Sequence, residues 1–295
     1  MFYIFLAICF SVTVSVLLKL AKRYQIDVYQ AITWNYSAAI LLTWVIFRPH
    51  LTNLRDAPIV TYALLGIILP VLFLIIAASI KITGIVRTDA AQRLSLFIPV
   101  LAAFTFFGEK PDTVKIISLV IGFTALACLI PWKQRRSVRR RPTFSWVYLV
   151  VIFAGMGLID VLLKQVARTR DIPFTTSLFI VFILAFTVAI IGMIYMIANK
   201  KMRFSWPHIV IGWILGVANF GNIFFFIKAH QAFANRPASV FSTMDIGVII
   251  AGTLVGLFIF REKLSRLNLA GIFLGLVAIV INAFPEFFDR LGHVF

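Results

Sequence analysis

Acidic residues are scarce in this chain of 295 residues: 11 aspartates and glutamates stand against 28 lysines and arginines, and charged side chains of both signs make up only 13% of it. A soluble domain is about a quarter charged and about half apolar, whereas here 61% is hydrophobic and the mean hydropathy is +1.00. Too little polar residue is left to cover the surface of a water-soluble core, so lipid is the expected solvent. Cysteine is almost absent. Cys9 and Cys128 both fall inside apolar runs, which excludes a disulfide framework and a CxxC metal site. The four histidines, His50, His208, His230 and His293, lie at the ends of apolar runs or between them with no HExxH spacing, so no metal and no other cofactor is expected. No glycine-rich stretch reads GxGxxG or GxxxxGK[ST], which argues against ATP-driven pumping by this chain alone. The net charge of +17 comes from basic residues concentrated between apolar runs. They read as membrane-flanking anchors, with membrane lipid and not nucleic acid as the partner.

What the sequence has in quantity is long apolar segments. About 20 apolar residues span the roughly 30 Å of bilayer hydrocarbon, and such runs recur at 2–21, 28–47, 59–80, 87–107, 113–131, 146–167, 174–198, 207–230, 237–260 and 267–285. Arg48-Pro49-His50, Glu109-Lys110-Pro111-Asp112 and Asn235-Arg236-Pro237 place charge, proline or asparagine where a helix should stop. The first run has no basic segment before it, and Ala21-Lys22-Arg23 is a poor cleavage site, so it is expected to be a retained helix. The expected fold class is an all-α integral membrane protein.

The longest polar stretch, Trp132 to Pro142, divides five runs from five, and three matches recur in order across it. Phe107-Gly108-Glu109-Lys110 is echoed by Phe260-Arg261-Glu262-Lys263, with Gly122 and Gly275 at the same distance from the glutamates. Val16-Leu17-Leu18-Lys19 is echoed by Val161-Leu162-Leu163-Lys164, and Ile80-Lys81 by Ile227-Lys228. Because each half holds an odd number of spans, the second enters the membrane from the opposite face, giving ten transmembrane helices as two inverted five-helix repeats. The units are 1–131, a basic linker 132–145, 146–285, and a short tail 286–295.

On these motifs the chain resembles the EamA domain of the drug/metabolite transporter superfamily, whose fourth helix ends in a Gly-Glu-Lys turn before a glycine-bearing fifth helix, repeated once. Phe107-Gly108-Glu109-Lys110-Pro111 fits that pattern; Arg261 replaces the glycine in the second copy. Pro99 matches the family's kink proline, while the ninth helix offers Gly247 and Gly252 instead. The resemblance covers nearly the whole chain and implies a ten-helix fold, a central cavity and alternating access. It implies no particular solute.

Intramembrane polar groups carry the mechanistic reading, since a charge at mid-bilayer costs roughly 2.5–3.5 kcal/mol on insertion scales. Arg93, within Gln92-Arg93-Leu94-Ser95, and Asp245, within Ser242-Thr243-Met244-Asp245, occupy nearly equivalent places in the two halves. Arg93, Gln92, Ser95, Asp245 and Thr243 are therefore candidates to line one cavity around a solute. Asn35, Tyr36, Asn219 and Asn222 are further candidates, with interhelical hydrogen bonding as their alternative role. Asp160 and Lys164, four apart on one face, read as a neutralising pair. Lys19, Lys81, Lys164 and Lys228 lie near run ends, where they snorkel or form basic mouths. The basic bias points to an anionic or zwitterionic metabolite. Gly271-Ile272-Phe273-Leu274-Gly275 is a GxxxG that packs either within the chain or in a homodimer.

The function expected is therefore secondary transport of a small polar solute across the cytoplasmic (inner) membrane, not catalysis. Proton coupling is open to Asp245 or Asp160. A polytopic enzyme or flippase acting on lipid-linked substrates is the alternative, but the converging acids, histidines or metal-binding aspartates it needs are missing. By the positive-inside rule the linker's face is cytoplasmic and both termini are outside, whereas members of the resembled family usually have both inside.

Overall fold

The computed structural model describes residues 1–23, 26–49, 51, 57–83, 85–129, 145–169, 172–259 and 265–284. The basic linker, the Phe260–Lys263 motif and the C-terminal tail lie outside the described residues, as do the side chains of Lys19 and Lys81. Among the described residues the chain is all helix with no strand. The helices are α1 Phe2–Arg23, α2 Val28–Phe47, α3 Ile59–Ile82, α4 Ile85–Leu94, α5 Phe97–Thr105, α6 Thr113–Leu129, α7 Ser145–Arg168, α8 Phe174–Ala198, α9 Pro207–Ala232, α10 Pro237–Phe258 and α11 Arg266–Ala283. Six of them, α3 and α7 to α11, contain a segment long and apolar enough to cross a membrane, so this is a multi-pass membrane protein.

Local chemistry sets the ends. Asp27 caps α2 by accepting from the amides of Tyr29 (2.8 Å) and Gln30 (3.3 Å), and Ser265 caps α11 through the Asn268 amide. Pro207 and Pro237 open α9 and α10 at the first helical position, where the missing N–H is not needed. The run expected as one helix over 87–107 is two, α4 and α5, broken at Ser95-Leu96. Pro99 has no N–H for the Ser95 carbonyl and its ring crowds that oxygen. The carbonyl takes the Ile98 amide instead, at 2.9 Å, and the Ser95 hydroxyl closes back on the Gln92 carbonyl.

Small residues allow the closest crossings. A Cβ added to Gly216 would lie 2.6 Å from the Asn35 carbonyl oxygen of α2, and one on Gly66 2.5 Å from the Leu184 Cβ of α8, so backbones meet at both places. Gly271 sits against Leu129 and Ala125 of α6 and Gly275 against Ile246 and Ile250 of α10, which assigns the GxxxG to packing within the chain. Packing across the two halves is reciprocal. α2 lies on α9 as α3 lies on α8; α1 lies on α9 as α3 lies on α7; α1 lies on α10 as α4 and α5 lie on α7. The pairs α2–α8, α5–α10 and α6–α11 join corresponding elements directly.

Candidate functional site

Three ionisable side chains converge between α4, α7 and α10. Arg93 occupies the last turn of α4, before the break that Pro99 produces. Asp245 lies two turns into α10 and Asp160 in the middle of α7. The Arg93 charge acts on Asp245, and Asp160 and Asp245 act on each other. α7 and α10 both pack on α5 rather than closely on one another. All three residues keep part of their surface open.

Asp160 is the member of this group that the sequence reading misplaced. The i, i+4 spacing suggested an ion pair with Lys164, but the two form none. Lys164 gives its ammonium to the carbonyls of His230 (3.3 Å) and Ala234 (3.4 Å) at the end of α9. It does not snorkel either: at 3% exposure it is buried. Carbonyls at a helix C-terminus carry partial negative charge and lack intrahelical donors, so they suit a lysine as well as a carboxylate does. Lys228 is half-buried, with its ammonium 4.8 Å from the Phe174 ring centre, a cation–π contact in place of a basic mouth.

The other candidates separate from this cluster. Gln92 is half-buried on α4, and Ser95 is buried with its hydroxyl committed to the helix break. Thr243, two residues before Asp245 and so on a different face of α10, has a buried hydroxyl without a partner and lines a crevice with Met1, Phe233, Arg236 and Asn282. Asn35 and Tyr36 belong to the α2 seam with α8 and α9. The Asn35 Oδ1, the Tyr36 hydroxyl and the Asn219 Nδ2 are all buried without hydrogen-bond partners, so they do not bond α2 to α9. Each orphaned group is a cost of about 1–3 kcal/mol that a ligand or water can offset. Asn222 on α9 is half-buried.

Glu109 is the further residue whose placement the motif alone did not give. Gly108 takes φ +70°, the left-handed turn that favours glycine, and the buried carboxylate beyond it accepts from the Ala238 amide at 2.7 Å. It thereby caps α10, the helix that carries Asp245, and its other oxygen pairs with Lys115 at 3.1 Å. Lys164 lies within its field. Nothing in the sequence spacing signals this contact, because it joins residues 129 apart.

No family model matches the chain. A solved crystal structure matches it with a TM-score of 0.70 at 14% identity, over 96% of this chain and 95% of the other, which shows a shared fold and nothing of function. An uncharacterized protein of Haemophilus influenzae is 41% identical over 287 residues, covering 94% of this chain and 95% of its own. The chain belongs to the same family as that Haemophilus influenzae protein.

Proposed function

We propose that the protein is a secondary transporter of the EamA type in the cytoplasmic membrane, moving a small zwitterionic metabolite by alternating access around the space between Arg93, Asp160 and Asp245. The observation that carries this reading is the linked set of one guanidinium and two carboxylates on the apolar helices α4, α7 and α10, with Arg93 acting on Asp245 and Asp245 on Asp160. An isolated charge so placed is costly and marks a pathway. Two carboxylates against one arginine disfavour a purely anionic solute and suit a molecule with its own carboxylate for Arg93 and an ammonium for the aspartates.

The ten-span inverted repeat is part of the same proposal. The reciprocal helix pairs are those that a two-fold axis lying in the membrane plane would generate. Side chains support it too. The offsets relating Ile80 to Ile227 and Glu109 to Glu262 also relate Ser79, Thr83 and Thr88 to Phe226, His230 and Phe241. The first trio is a buried hydroxyl cluster with contacts of 2.7–3.1 Å. The second is a ring cluster with centroids 4.4–6.1 Å apart. Different chemistry fills the same junction in each half.

The test is thermal unfolding of the purified protein against amino acids, betaines, dicarboxylates and amines. A bound solute raises apparent stability by mass action, about 2.7 kcal/mol at a hundred times its Kd. Zwitterions should raise the midpoint, and Arg93→Ala should remove the shift. A response confined to dicarboxylates or to cations overturns the substrate class, and none to any solute overturns the site.

A further inference from the structure

An apolar recess lies on the wall of the molecule, away from the linked charges. Ile209, Val210, Trp213, Ile214 and Val217 form a stripe on α9 that, with Leu41 of α2, lines a groove of about 430 Å³ with almost no polar surface. Most of these side chains are exposed. The Trp213 indole nitrogen donates to the Ser37 hydroxyl at 3.1 Å, which fixes the ring as a wall of the groove. From Ile209 to Val217 the stripe runs about 12 Å along the helix.

Cations stand at one end of it. The segment leading into α9 carries Lys200, Lys201 and Arg203, all exposed, with exposed Phe204 and Trp206 beside them at the level where aromatic residues meet lipid headgroups. This segment is fastened to the other wall of the groove. The amide of fully buried Gln30 in α2 donates to the Arg203 carbonyl at 2.8 Å and accepts from the Ser205 amide at 3.0 Å. Asp27 accepts from the Tyr29 and Gln30 amides at the start of α2, and among the described residues no ion pair engages Lys200, Lys201 or Arg203. A basic patch on an anchored backbone thus tops a groove with room for hydrocarbon.

We propose that this groove binds one anionic phospholipid, an acyl chain lying along α9 from Ile209 to Val217 and the phosphate resting on Lys200, Lys201 and Arg203. The occupant follows from the charge. Hydrocarbon from any lipid fills the groove, but three cations at the headgroup select a net negative one, each contributing about fivefold in binding near a surface. The lipid lies across the α2–α9 seam and braces it. The inference is independent of what the protein transports.

The full-length protein, purified in detergent, is titrated with phosphatidylglycerol or phosphatidylcholine of matched chains, with readout by native mass spectrometry and thermal unfolding. One phosphatidylglycerol should be retained per chain, with half-saturation at least about tenfold below that of phosphatidylcholine. The triple change Lys200→Gln, Lys201→Gln, Arg203→Gln should bring the two curves together. Val217→Trp, at an exposed position that tolerates bulk, should weaken both lipids and keep their ratio. Equal affinity for the two lipids, a preference that survives the triple change, or a groove occupied by a second copy of the chain in place of lipid overturns the proposal.

Discussion

Arg93 acts on Asp245, whose other charged neighbour is Asp160, and that imbalance makes the three charges unequal under mutation. Removing Arg93 leaves Asp160 and Asp245 acting on each other, whereas removing Asp160 leaves a balanced Arg93–Asp245 pair. Uncompensated buried charges cost roughly 3–5 kcal/mol, and the open surface here brings that to about 2–3 kcal/mol for Arg93→Gln. Asp160→Asn should be nearly neutral for stability while weakening solute binding. Asp245→Asn with Arg93→Gln should cost less than the two singles together, the difference being their interaction energy. Thermal unfolding of the four variants checks the order, and strict additivity would show that Arg93 and Asp245 do not sense each other. The sequence disclosed Arg93 and Asp245 because a charge inside an apolar run is conspicuous. It concealed the role of Asp160, because a lysine four residues away offered a partner on the same helix; the charge that acts on it is instead Asp245 of α10, which only tertiary packing reveals.

At the scale of elements, helix ends were legible and helix contacts were not. Proline, asparagine and charge stop helices by local rules, so the expected runs and the observed α2, α8 and α9 agree closely at both ends, whereas the run expected as one helix over 87–107 is split ahead of Pro99. Which helix meets which is decided by where small residues let backbones approach, and a glycine shows that an approach exists without naming the partner. Glu109 is the clearest case, since its turn is a sequence motif but its target is the start of α10. Glu109→Ala should remove that cap and also leave Lys115 and Lys164 without their counter-charge, lowering stability by about 1–2 kcal/mol. Glu109→Gln keeps an acceptor for the Ala238 amide and should fall between the two. Melting of the purified variants orders them. If Glu109→Ala melted with the parent protein, the cap would contribute nothing.

For the whole molecule, the reciprocal packing of the two halves and the placement of charge along the chain meet in one question, which face is which. Lys200, Lys201 and Arg203 precede α9 on the face that the positive-inside rule assigns to the cytoplasm, together with the basic linker between the halves. Arg168 and Arg236 lie on the opposite face. Under the proposed topology of five spans in each half the linker lies across the membrane from both termini, whichever face is cytoplasmic. A reporter active only in the cytoplasm, inserted in one fusion within the linker and in another after Phe295, therefore tests two statements at once. Activity in the linker and none at Phe295 is the expected result. Activity at Phe295 and none in the linker would overturn the charge argument and bring the orientation into line with the family the sequence resembles, while leaving the inverted halves intact. Equal activity at both would mean that an even number of spans separates the linker from the C-terminus, and the inverted repeat itself would fall.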